Sequence, residues 1–165
     1  MAQSKYIQSV LDAAKGRPKS TEWYKDKIKE FGTPGAMDLI RDGKRNNRPF
    51  YGRLNMFIYD PKFKKTLPYY DTFPLVLPLE KYDDGFLGIN LHYLPIPLRI
   101  RLLDRLVDFS NNTNFDEGTR LIVEYRKVKS IKLVKPTIHK YLAGQVKSQF
   151  RRIDADEFTI ATLLP

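Results

Sequence analysis

The stretch Phe73–Leu94, FPLVLPLEKYDDGFLGINLHYL, decides how the chain is read. Phe73–Leu79 is apolar and β-prone, but Pro74 and Pro78 cannot donate to a ladder, so they belong at a strand end or a sheet edge. Asp83-Asp84-Gly85 marks a tight turn. Phe86–Leu94 predicts the returning strand, with Phe86, Ile89, Leu91 and Tyr93 as core candidates. Gly85 and Gly88 suit a bulge or a strong bend. Upstream, Leu54, Met56 and Ile58 alternate with Asn55, Phe57 and Tyr59 until Asp60-Pro61 imposes a turn. Short, bent strands joined by few residues favour a small barrel over a flat sheet.

Outward from this block the period changes. Pro95 and Pro97 open a helix whose apolar stripe is Leu98, Leu102, Leu103, Leu106 and Phe109. Arg120–Val128 predicts a strand, with Leu121, Val123 and Tyr125 on one side. After Lys135-Pro136-Thr137 the spacing predicts a last helix. Ile138, Leu142 and Val146 would share one face, and Lys140, Lys147 and Arg151 the opposite one. Phe158–Leu163 predicts a closing strand. Towards the N-terminus, Tyr6, Ile7, Val10, Leu11 and Ala14 fit a helix stopped by Gly16-Arg17-Pro18. A second helix, capped by Ser20 or Thr21, carries Tyr24, Ile28 and Phe31 and closes at Gly32. Asp42–Pro49 is a basic, turn-rich linker. The expected organisation is α+β: an N-terminal helical arm and basic linker over residues 1–50, and a compact barrel-like domain with packed helices over 51–165.

Composition narrows the chemistry. The absence of cysteine among 165 residues excludes disulfide scaffolding and thiolate metal sites. No run approaches the about 18 apolar residues of a membrane-spanning helix, so no membrane partner is expected. The net charge of +10 is uneven. Residues 120–152 carry 10 basic groups and one acid, whereas residues 51–119 carry 8 and 9. A near-neutral centre beside a strongly basic segment is the footprint of a polyanion-binding face.

Catalytic equipment is thin. His92 lies in an apolar segment and is expected to be a hydrogen-bonded core residue; His139 sits among cations. No nucleophile elbow and no Gly-rich phosphate loop is present, and no cofactor or metal site is expected. A metal-dependent nuclease would draw on Asp60-Pro61-Lys62 with Asp71, Glu80, Asp83 and Asp84. Turns explain Asp60-Pro61 and Asp83-Asp84-Gly85 better. Nucleic-acid binding needs only cations spaced to meet phosphates. The candidates are Arg126, Lys127, Lys129, Lys132, Lys135, Lys140, Lys147, Arg151 and Arg152, assisted by Lys44, Arg45 and Arg48 of the linker. With no base-reading module, the contacts are expected to be independent of sequence.

Three blocks carry a family resemblance: Met56-Phe57-Ile58-Tyr59-Asp60-Pro61-Lys62, Leu67-Pro68-Tyr69-Tyr70-Asp71-Thr72-Phe73-Pro74-Leu75, and Gly85–Pro95. With Trp23-Tyr24-x-x-Lys27-Ile28 and Lys135-Pro136-x-Ile138-x-Lys140-Tyr141-Leu142, they resemble a family of small proteins from T4-like tailed bacteriophages, whose members are labelled DNA end-protector proteins. The resemblance implies an SH3-like β-barrel and a non-enzymatic virion component, in the host cytoplasm during assembly. Its partners would be double-stranded DNA or DNA ends and virion proteins, and it would shield packaged termini from host exonuclease. Two alternatives stand beside it: a structural virion protein of the head–neck or tail–baseplate region, and the nuclease.

Overall fold

A computed structural model describes residues 6–15, 19–32, 34–61, 71–109, 132, 134–153 and 157–164. The hairpin predicted around Asp83-Asp84 is its centre. β3 (Leu75–Tyr82) and β4 (Gly85–Asn90) pair antiparallel from Tyr82↔Gly85 to Val76↔Asn90. The register shifts between Pro78 and Glu80, so Leu79 is the extra, bulged residue. Beyond Val76, β3 has lost its other neighbour, β2 (Leu54–Met56), so the missing N–H of Pro78 costs no ladder bond there. β1 (Arg45–Asn46), β5 (Ile138–Leu142) and β6 (Phe150–Ile153) complete an antiparallel sheet in the order β1-β6-β2-β3-β4-β5.

Alternation along the strands buries both faces of this sheet. Leu75, Leu77 and Ile89 join Leu54, Met56, Leu102, Leu103, Val134, Ile153 and Ala161 on one side. Val76 and Phe86 join Phe57, Tyr59, Tyr141 and Phe150 on the other. The second cluster is aromatic: the Phe57 ring lies 4.8–6.1 Å from those of Phe150, Tyr141, Phe86 and Tyr59. Offset and edge-on packing of this kind adds to the area each ring buries. Gly85 and Gly88 permit the close approach of neighbours. A Cβ on Gly85 would collide with the Tyr141 carbonyl oxygen, and one on Gly88 with Val76 Cγ1.

The sheet curls around the aromatic cluster without closing. The Lys147 N–H donates to Ile58 O, the Asp60 N–H to Gln145 O, and Tyr59 bridges Val146. Yet among the described residues β1 and β5 remain the two edges of the strand order, so the sheet they form is open rather than the closed SH3-like barrel expected.

Helices α1 (Tyr6–Ala13), α2 (Thr21–Phe31), α3 (Ala36–Arg41), α4 (Ile96–Phe109) and α5 (Phe158–Leu163) surround the sheet. Ser20 caps α2 by accepting from the Trp23 N–H, and Gly32 ends it at φ +82°. Ile7, Val10 and Leu39 pack with Ile160 and Leu164.

Two expected elements are corrected. Phe158–Leu163 is a helix: Ile160 and Leu164, four residues apart, meet α1 and α3 together, and this packing overrides the strand propensity of Thr159, Ile160 and Thr162. The predicted last helix is instead β5, a 3-10 turn at Ala143–Gln145, and β6. Tyr141 and Phe150, which no apolar helical stripe would hold together, both belong to the Phe57 cluster, and only strands bring them there. The returning strand is also shorter than predicted. It ends at Asn90, and Leu91–Tyr93 forms a 3-10 turn capped by the Asn90 side chain. The predicted strand Arg120–Val128 lies outside the described residues.

Candidate nucleic-acid interface

A groove of about 670 Å³ opens between residues 47–51, the β3–β4 hairpin tip and the 143–150 segment. Phe86, Val146 and Phe150 line its apolar part, and Arg48, Tyr51, Lys81, Tyr82 and Asp83 its polar and aromatic part. Each wall has a local cause. β1 pairs with β6 through Arg45↔Arg151 and Asn46↔Phe150, and the Arg152 N–H donates to Lys44 O at 2.8 Å. This ladder lays the basic linker along β6, about a hundred residues away in sequence.

The Tyr51 loop is held from beneath by the fully buried Asn55. Its amide donates to Phe50 O (2.9 Å) and Arg53 O (2.8 Å), and its carbonyl accepts from the Phe50 N–H (2.8 Å). Gly52, at φ +76°, supplies the left-handed residue that this turn requires. On the opposite wall, Tyr82 donates its hydroxyl to Glu80 (2.9 Å), and Lys140 Nζ stands 5.1 Å from its ring centroid. Lys140 is anchored in turn by Asp84, 3.0 Å away. Its hydrogen bond and charge hold the Asp84 carboxyl below the usual carboxylate range. Tyr51 and Tyr82 nevertheless remain 41% and 39% exposed, among the most exposed large apolar side chains described. Partial burial raises the Tyr51 phenol above its ordinary value, so it is neutral at physiological pH.

The sequence-predicted cations fall into distinct environments. Lys44, Arg45, Arg48 and Lys147 are exposed, and none is in an ion pair among the described residues. Lys132 and Lys135 are exposed as well, on the approach to β5. Lys140 is exposed but engaged with Asp84 and Tyr82. Arg152 is half-buried, its guanidinium 6.0 Å from the Phe50 ring. Arg126, Lys127 and Lys129 lie outside the described residues. Arg151 is only 2% exposed. It donates to Asp42 (2.8 Å), Glu157 (3.0 Å), Leu39 O (2.8 Å) and Arg152 O (2.9 Å). The expected stripe of Lys140, Lys147 and Arg151 on one helix face does not exist, because no helix is there. A charge reversal at Arg151 would strike the fold.

Lys81, Tyr82 and Tyr51 were missed by the sequence reading. The signal for the first two was the Asp83-Asp84-Gly85 turn itself, which puts the preceding Lys-Tyr pair at an exposed hairpin tip. Tyr141 and Phe150, which stand among the cations in sequence, are core.

The acidic and histidine candidates are mostly structural. Asp71 accepts from Asn90 Nδ2 (3.0 Å) and the Phe73 N–H (3.0 Å) and lies 2.7 Å from His92 Nδ1. Burial alone would raise its pKa, but the hydrogen bonds and charge of His92, with those from Asn90 and Phe73, carry it below the usual range. His92 is 8% exposed, as expected of a bonded core histidine. His139 stacks on Tyr93, with ring centroids 4.0 Å apart, and its Nε2 lies 3.1 Å from Pro136 O. Its pKa is lowered by burial. Among the described residues no three acidic or histidine side chains are grouped to hold a metal ion, and no helix is long and apolar enough to cross a membrane.

The fold and groove define a basic, mixed α/β protein with exposed cations at an aromatic-lined cleft. The chain belongs to the family described as Phage T4 terminal DNA protecting protein, whose model matches residues 4–165. No curated protein and no solved structure matches it.

Proposed function

We propose that this protein binds the ends of linear double-stranded DNA without regard to sequence and shields them from exonuclease, with no reaction of its own. The observation that carries the reading is the set of exposed cations around one groove. Arg48 and Lys81 line it from two separate segments; Lys147 sits between the lining residues Val146 and Ser148, and Lys44 and Arg45 just precede Arg48; all five are exposed and lie outside any ion pair among the described residues. Cations left in water at one place are available to phosphates. The family's description supplies the target, terminal DNA. Such a protein works in the virion and, during assembly, in the host cytoplasm.

A second reading, a structural part of the virion, draws on exposed apolar side chains of the helical region, Phe31 (42% exposed) and Met37 (40%). These would suit a protein neighbour rather than DNA. The two readings separate on one experiment. Fluorescent linear duplex is titrated with protein across a salt series, against linear and closed circular competitors, and then exposed to an exonuclease. Salt-sensitive binding displaced by linear but not circular DNA, with slowed digestion and no cleavage by the protein, is the expected result. Absence of binding at physiological salt would leave the structural reading.

A further inference from the structure

We infer that the groove takes an unpaired nucleobase at the DNA end, stacked on Tyr51 and Tyr82, while the backbone runs along the cationic rim. This inference rests on the end-binding reading and adds what part of the end is recognised.

The groove interior is unsuited to phosphate. Phe86, Val146 and Phe150 supply apolar surface. Asp83 stands at its edge, exposed and without an ion-pair partner among the described residues, and would repel a phosphate placed there. The same carboxylate accepts readily from the exocyclic amino group of a base. Aromatic faces beside apolar surface, with cations outside, are how single-stranded segments are held: bases stack and phosphates meet charge. In a fully paired end the Watson–Crick edges are occupied by the complementary strand. Only an unpaired nucleotide presents both an open edge to Asp83 and free faces to the tyrosines.

The Tyr82 ring and the turn that carries Tyr51 are also held in place before any ligand arrives. Tyr82 is fixed by its hydrogen bond to Glu80 and by the anchored Lys140 ammonium. Tyr51 rides on the turn pinned by the three Asn55 hydrogen bonds. Exposed aromatic side chains that are rigidly supported lose little freedom on binding.

The test compares a blunt duplex, the same duplex with a short single-stranded tail of either polarity, and a closed circle. The fluorescent base 2-aminopurine is placed at the unpaired terminus, since stacking quenches it. The expected result is tighter binding of a tailed end than a blunt one, by roughly five- to hundredfold, with quenching on binding. The double variant Tyr51→Ala/Tyr82→Ala should erase both effects, and Tyr51→Phe/Tyr82→Phe should keep both. Thermal melting of each variant shows that it is folded. Equal binding of blunt and tailed ends with no quenching overturns the inference, while continued preference for ends over the circle leaves end binding standing. Quenching that survives the double alanine variant also overturns it. If neither kind of end outcompetes the circle, the end-binding reading fails and this inference with it.

Discussion

Arg151 and Lys147 are four residues apart in one basic segment, and they do opposite things. Lys147 stands in water, between Val146 and Ser148 of the groove lining. Arg151 is enclosed by Asp42, 109 residues away, and Glu157, six residues away. The arginine ties α3, β6 and the start of α5 together, whereas the lysine ties nothing charged. The difference lies in the carboxylates that the fold delivers. A charge run read along a sequence is the sum of two populations, cations already neutralised inside the protein and cations left for a ligand, and only the second reports on function.

The contrast has measurable consequences. Arg151→Ala leaves the partly buried carboxylates of Asp42 and Glu157 without their shared cation. It should lower stability by roughly 3–5 kcal/mol in urea unfolding, while the folded fraction keeps its DNA affinity. Replacing Arg48, Lys81 and Lys147 together by Gln should do the reverse. Stability should change little, while the slope of log affinity against log salt falls by about 2.7 for the three contacts, a roughly hundredfold loss near 0.15 M salt. If that triple variant binds as tightly as the parent, the groove is not the DNA site.

Asn55→Ala stands between the two classes. It strands buried backbone groups beneath the Tyr51 loop, with an expected cost of about 1–3 kcal/mol and faster amide exchange at residues 50–53. The smallest effect belongs to His139. Burial lowers its folded pKa below the ordinary 6.5, so the unfolded chain binds the proton more readily. Its contribution is complete above pH 6.5 and declines as the pH falls through and below that value. Melting temperature followed from pH 7.5 to 5.5 should therefore drop less in His139→Gln than in the parent.

Some of this was legible along the chain. The β3–β4 hairpin, the Ser20 cap, the Gly32 stop and the proline-opened α4 follow from local rules, since a turn or a cap is decided by residues within a few positions of it. The buried character of His92 was also readable from its apolar neighbours. The 138–153 segment was not. Ile138, Leu142 and Val146 satisfy a helical period, but β5 and β6 form because the distant Phe57 cluster recruits Tyr141 and Phe150. The candidate site was partly legible: Arg48, and Lys147 next to the groove lining, were marked by charge, while Lys81, Tyr51 and Tyr82 lay in a segment whose net charge is close to zero.

The sequence by itself determined that this is a basic, cysteine-free α+β protein with its turns and caps where local chemistry puts them. Its motifs pointed to phage DNA end-protector proteins, and the family match extends that to residues 4–165. Tertiary structure alone decided that the sheet stays open, which cations are neutralised, and which aromatic rings face the groove. The reason is physical. Turns and caps are settled by neighbours along the chain, whereas burial and charge pairing are settled by neighbours in space, 109 residues away in the Arg151–Asp42 pair.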